Sequence, residues 1–267
     1  DQFQKSRALV PNKLNVYGDA GDVVRYLLDH LDPKRIRIDP WLRQIERWQK
    51  DNRPPPSQYH SADTLNIIYV LEKINELTAR DHADKIIVTD VGNHQMWASQ
   101  RITTTGPRSF VTSAGIGTLG TGISQAIGAQ LVAPERLVIT VEGDEGYYSC
   151  SAELRTAARY KIPIKVMVIN NGGQCIVRQW TTHMFGGNDV GVIDHVDGVA
   201  DMDVVTNAQS YGVEAERVTL KNDLVGAMQR MISAKGPYVV ECVVPHEDCY
   251  PWIKPGTGFP DIITGKE

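Results

Sequence analysis

From Lys85 onward, short runs with no polar face recur at intervals of about one helix. KIIVTDVG (85–92), RSFVTSAGIG (108–117), RLVITVEGD (136–144), IKVMVINN (164–171) and YVVECVV (238–244) are dominated by β-branched and other apolar residues. A strand with one wet face would alternate, so these runs read as strands covered on both faces. Helical segments stand between them: GISQAIGAQLVA (122–133) and SAELRTAARYK (151–161), then ADMDVVTNAQSYG (200–212) and LKNDLVGAMQRMISAKG (220–236) around EAERV (214–218). SADTLNIIYVLEKINELTARDH (61–82) precedes them as a helix capped near Ser61 or Asp63. Strands and helices in this order predict an α/β fold, a doubly wound and mostly parallel sheet with helices on both faces.

The first sixty residues differ. GDVVRYLLDHL (21–31) and PWLRQIERWQKD (40–51) each carry an apolar stripe at helical spacing. Pro54, Pro55 and Pro56 cannot continue a helix, which sets a boundary at 52–60. Three parts are expected: 1–60 with its proline-rich linker, a domain over 61–245, and a tail over 246–267. A net charge of −4 and a pI near 6.0 give no reason to expect nucleic acid or an anionic membrane as partner. No apolar run approaches the ~20 residues a membrane helix needs, and no signal peptide is visible. The chain opens on Asp1 rather than Met, which leaves room for a removed leader. Cys150, Cys175, Cys242 and Cys249 contain no CxxC pair, so reduced thiols and a cytoplasmic setting are expected, organellar matrix or stroma in a eukaryote.

Two strand ends carry the chemistry. VITVEGDEGYYSC (138–150) stops at Gly143-Asp144, and IKVMVINNGGQC (164–175) stops at Asn170-Asn171. In an open parallel sheet, ligands gather beyond the carboxyl ends of the strands. If the two strands are neighbours, Asp144, the Asn171 side-chain oxygen and a backbone carbonyl of the Gly172-Gly173 turn converge on one cation. These are hard oxygen donors, suited to Mg²⁺ or Ca²⁺ and poorly to zinc, and Mg²⁺ commonly completes its shell with water and substrate phosphates. A turn through Gly146 into a helix starting near Ser149 or Ser151 would add a helix N-terminus for phosphate. Taken singly, Gly-Asp is a common turn and Asn-Asn a common strand terminator. Their joint occurrence around one strand-helix-strand unit favours a site. A different class remains open: GIGTLG (115–120) fits the GxGxxG pattern, with Glu142 as the acidic partner of an NAD-dependent Rossmann dehydrogenase. His183, His195 and His246 show no ligand spacing.

Gly143-Asp144 and Asn170-Asn171 at this interval resemble the signature of the thiamine diphosphate enzymes. GNHQMWASQ (92–100), SFVTSAGIGTLGTG (109–122), AIGAQLVAPERLVI (126–139), NNGGQCIVRQW (170–180) and YPWIKPGTGFPDII (250–263) resemble the catalytic subunits of acetohydroxyacid synthase (acetolactate synthase). The likeness covers the chain from about residue 15 to near its end. It implies a thiamine diphosphate-binding fold in which Asp144, Asn171 and the Gly173 carbonyl hold Mg²⁺. His94, Gln95, Gly117, Gly143, Glu145, Gly146, Gln174, Cys175 and Ile176 would surround the cofactor. Leu119 would be the apolar wedge that bends it. Trp180, beside Ile176 and Val177, would line the pocket for a second 2-oxoacid.

The implied reaction is decarboxylation of pyruvate and carboligation, as in branched-chain amino acid biosynthesis, by a transferase or lyase. A thiamine-dependent enzyme of another pathway and a catalytically inactive binding module are the alternatives. The resemblance also implies that residues 1–60 end a middle domain carrying most of an FAD site. It further implies a homo- or hetero-oligomer, and a glutamate from a pyrimidine-binding domain on a partner chain or another segment. Departures are Glu145 for the third glycine of Gly-Asp-Gly, Ala114 for a glycine and Ser124 for a proline.

Overall fold

The computed structural model describes residues 16–51, 63–188, 202–253 and 262–263. Ser61 as a cap, the prolines at 54–56, His195 and most of the tail after Ile253 lie outside the described residues. The chain divides into two compact units, Asp1–Arg53 and Pro54–Glu267. In the first, α1 (Ala20–His30) and α2 (Asp39–Asp51) flank a short turn at Pro33–Arg35. Asp19 caps α1 by accepting from the Gly21 and Asp22 N–H groups, and Asp32 caps the turn with proline next in line, where its missing N–H costs nothing.

The second unit starts with α3 (Ile67–Thr78). Its cap is Asn66, whose side chain accepts from the Tyr69 N–H, and not the expected Ser61 or Asp63. Asp63 and Thr64 are drawn away from the helix: the Asp63 carbonyl accepts the Lys221 N–H, and Thr64 bridges Leu220. Then follow β1 (Ile86–Thr89), α4 (Asn93–Arg101), β2 (Phe110–Thr112), α5 (Gly122–Val132), β3 (Val138–Gly143), α6 (Asp144–Cys150) and α7 (Leu154–Tyr160). The unit continues through β4 (Lys165–Asn170), α8 (Cys175–Phe185), α9 (Val204–Ser210), β5 (Glu214–Val218), α10 (Leu224–Ser233) and β6 (Tyr238–Val243). A small antiparallel pair closes the description, β7 (Trp252–Ile253) with β8 (Ile262–Ile263).

Six strands form one parallel sheet in the order β2-β1-β3-β4-β6-β5. The α/β expectation is met, and the period-two pleat explains how one strand feeds two cores. Ile139, Val141, Met167, Ile169 and Val240 point to one face, under Leu71, Trp97 and Met228 of α3, α4 and α10. Val138, Val166, Val168 and Val239 point to the other, under Ile123, Leu154 and Val204 of α5, α7 and α9. EAERV is the edge strand β5, partly exposed, and α4 and α8 are helices that the sequence reading did not assign. The polar first turn of α4, Asn93-His94-Gln95, hides its periodicity. None of the described helices is long and apolar enough to cross a membrane.

Candidate functional site

The chain leaves β1 for β2 on one side and then crosses to β3 on the other, so the sheet order turns at β1. A crevice opens beyond the carboxyl ends at such a point. Register brings the ends together: Thr89 lies opposite Val141, and Gly143 opposite Ile169. A cavity of about 190 Å³ occupies this position. Val91 to His94 line it from β1, Gly143 to Gly146 from β3, and Asn171, Gly173 and Gln174 to Val177 from β4, with Leu119 reaching in from the α5 side.

Asp144 joins two of these loops. Its Oδ2 accepts the Gly172 and Gly173 N–H groups, each at 2.9 Å, and its Oδ1 accepts the Glu145 N–H at 2.9 Å. Burial raises the Asp144 carboxyl, and these backbone donors pull it back. Gly172 (φ 83°) and Gly173 (φ 137°) take left-handed conformations that a side chain would strain. The Gly173 carbonyl accepts the Cys175 N–H at 2.8 Å and keeps a second lone pair. One expectation is corrected: the helix starts at Asp144 itself, not near Ser149 or Ser151. Gly143 leads straight into it in extended conformation, so Gly146 lies within a helical turn.

The β1 side adds Asp90 and Asn93, which the sequence does not single out, to the expected His94. Asp90 is fully buried and receives four backbone donors: Val91 and Gly120 on Oδ1, Thr121 and Gly122 on Oδ2, at 2.7 to 3.0 Å. An acid closing an apolar strand was the available signal. Asn93 is buried with neither amide atom partnered among the described residues, and His94 is buried with Nε2 likewise unpartnered among them. A buried polar group left unpaired costs about 1–3 kcal/mol, so such groups suit an incoming polar ligand. Burial pushes His94 down to about 4 against the pull of Asp90, so the ring is neutral at physiological pH. His94 sits in the first turn of α4. A Cβ at Gly92 or Gly143 would stand 2.9 Å from its ring, so both glycines permit its placement.

Leu119 is 44% exposed over the cavity. Gln95, Gly117 and Trp180 are not among the lining residues. Gln95 donates instead to the Thr112 hydroxyl at 2.7 Å, and Trp180 stands 41% exposed on α8. The dinucleotide reading of GIGTLG is corrected. α5 opens at Gly122, two residues past the motif, and Glu142 is fully buried beneath it. A Cβ on Gly122 would lie 2.1 Å from Glu142 Oε1, so that carboxylate is packed away from any ribose.

Residues 90–242 match the family model described as thiamine pyrophosphate enzyme, C-terminal TPP binding domain. The acetolactate synthase large subunit of Cyanidium caldarium is 35% identical over 251 residues, covering 91% of this chain and 41% of that protein. The corresponding large subunit of Parasynechococcus marenigrum (strain WH8102) is 37% identical over 236 residues, covering 85% and 35%. The mitochondrial acetolactate synthase catalytic subunit of Saccharomyces cerevisiae is 29% identical over 256 residues, covering 96% and 36%. The chain thus spans 35–41% of the length of these curated relatives.

Proposed function

This chain belongs to the thiamine pyrophosphate enzymes, and from that membership we propose that it is the cofactor-holding part of an acetolactate synthase-like carboligase. Residues 61–245 are its diphosphate and metal domain, 1–60 the end of a middle domain, and 246–267 a tail over the active site. The observation that carries the reading is the meeting of Asp144 with the Gly172–Gly173 backbone at 2.9 Å, in one cavity with Asn171. Asp144, Asn171 and the Gly173 carbonyl would hold Mg²⁺, since all three offer hard oxygens. The Asn93 amide in the same wall, which has no partner among the described residues, fits a diphosphate oxygen. When bound, thiamine diphosphate supplies the electron sink for loss of CO₂ from a 2-oxoacid such as pyruvate.

The chain's own residues orient and shield. Leu119 and Ile176 present apolar surface to the cavity, and Trp180 with Val177 forms the exposed side of α8 that selects the second 2-oxoacid. A pyrimidine-binding domain from a partner chain or another segment contributes the activating glutamate. FAD belongs to the proposal through residues 1–60, and flavin absorbance of the purified full-length protein tests it.

Calorimetric titration with thiamine diphosphate, with and without Mg²⁺, tests the site. Asp144→Ala and Asn171→Ala should each abolish magnesium-dependent binding, and unchanged affinity refutes the metal assignment. Pyruvate consumption with every native partner present tests the chemistry; binding without consumption supports a module that has lost turnover. Trp180→Leu should shift the choice between pyruvate and 2-oxobutyrate while sparing decarboxylation. A parallel fall of both rates refutes the pocket role.

A further inference from the structure

We propose that Glu241 and Arg217, neither of which lines the cavity, are positioning residues for the Asn170–Gly173 loop. The inference rests on the reading of that loop as part of the metal site. Glu241 lies mid-strand on β6, its side chain 1% exposed. A buried carboxylate is costly unless fully paired. Here both oxygens are engaged. Oε1 accepts the Asn170 side-chain amide at 2.7 Å, and Oε2 accepts the Arg217 Nε–H at 2.6 Å. Arg217 and Glu241 are register partners on neighbouring parallel strands, so their side chains share a face. Arg217 reaches on to Asp203 at 2.9 Å, and Asp203 caps α9 through the Val205 and Thr206 N–H groups.

The other end of the chain of bonds is the loop itself. With its amide nitrogen committed to Glu241, Asn170 has its Oδ1 turned to the Gly172 N–H at 3.2 Å, the same N–H that Asp144 Oδ2 accepts. Asn170 is therefore held away from the cavity while Asn171 faces it. The donor and acceptor order admits one arrangement: amide nitrogen to Glu241, amide oxygen to Gly172. A flipped Asn170 would set its carbonyl against a carboxylate and its NH₂ against an N–H. The line Asp203–Arg217–Glu241–Asn170 thus fixes which way the Gly172–Gly173 turn presents its groups to Asp144.

The test is a polarity swap on the full chain, read two ways. In Glu241→Gln the single carbonyl oxygen can satisfy either Asn170 or Arg217, and the amide opposes the other. In Asn170→Asp/Glu241→Gln the glutamine amide donates to the aspartate while its oxygen accepts from Arg217, so every donor again has an acceptor. Amide hydrogen exchange at Gly172 and Gly173 needs no cofactor. Titration with thiamine diphosphate and Mg²⁺ reads the site.

Glu241→Gln should speed Gly172 exchange and weaken magnesium-dependent binding by about tenfold or more, the usual scale for partners that orient metal ligands. The double variant should return both to near the wild-type values. Unchanged exchange and affinity in Glu241→Gln overturn the inference, as does a loss that the double variant fails to recover. If wild-type protein does not bind the cofactor, the proposed function fails, and the exchange rates alone still decide the positioning role. Should Glu241→Gln not fold, Arg217→Ala at a partly exposed position carries the test: faster Gly172 exchange supports the inference, and an unchanged rate overturns it.

Discussion

Replacing Glu142 by glutamine should flatten the pH dependence of folding between pH 5 and 8. Glu142 has no exposed surface; Oε1 accepts the Thr140 hydroxyl at 2.5 Å, and Oε2 has no hydrogen-bond partner among the described residues. Burial, reinforced by nearby Asp90 and partly offset by Thr140, raises its carboxyl from 4.5 to about 8. The sign follows from proton counting. Between those values the folded chain holds a proton that the unfolded chain has released, so stability is greatest below pH 4.5 and falls as pH rises toward about 8. Each pH unit between the two values costs about 1.4 kcal/mol, and less as the folded carboxyl itself begins to ionise, so about 3 kcal/mol has been lost at pH 7 and about 4 kcal/mol at pH 8. The glutamine keeps an acceptor for Thr140 and cannot ionise. Urea unfolding at pH 5, 6, 7 and 8 should show the wild-type curve falling relative to the variant by about 1.4 kcal/mol per unit up to pH 7 and by about 1 kcal/mol from pH 7 to 8. Parallel curves would mean that the carboxylate is stabilised in the folded chain, and would refute the reasoning.

Other expectations are independent of this one. Gly122→Ala places a Cβ 2.1 Å from Glu142 Oε1 and should cost about 1–3 kcal/mol by overpacking, measured as a shift in urea midpoint without a change in slope. Lys165 is buried, donates to the Ala234 and Gly236 carbonyls at 2.7 Å each, and is pushed down to about 8 by burial. Its stabilising effect is complete above 10.5 and lost as pH falls through about 8, so Lys165→Met should remove a rise in stability between those values. Gln179→Ala deletes two buried bonds, to the Cys249 carbonyl and N–H at 3.0 Å each. Proteolysis between α8 and β7 should then quicken, with a stability loss of about 2–4 kcal/mol; unchanged cleavage would show that the tie is unimportant. Glu145 adds a second carboxylate to the cavity, and Glu145→Gln should tighten magnesium-dependent thiamine diphosphate binding severalfold in the same titration.

Much of the sheet was legible because burial on both faces leaves an unmistakable composition. Ile86–Thr89, Val138–Gly143 and Lys165–Asn170 contain hardly a residue that could face water, and their ends at Asp90, Asp144 and Asn170 stand out for that reason. Helices α4 and α8 were not legible. NHQMWASQR buries Asn93, His94, Trp97 and Ala98 on one helix face, but the first two are polar, so the buried face leaves no hydrophobic stripe in the sequence. The start of α6 was misread for a related reason. Gly146 looks like a turn in the linear chain, yet it sits against Asp90, with a Cβ there meeting Oδ1 at 3.0 Å, and it is the close packing that calls for glycine.

Local order along the chain therefore determined the fold class and the two oxygen-bearing strand ends, since hydrophobic period and turn residues act over a few neighbours. Tertiary structure decided the rest. Parallel pairing of β3 with β4 brings Asp144 to Gly172 and Gly173, 28 and 29 residues away. The same pairing of β4, β6 and β5 carries a hydrogen-bonded line from Asp203 to Asn170, linking residues that no spacing along the sequence could have joined.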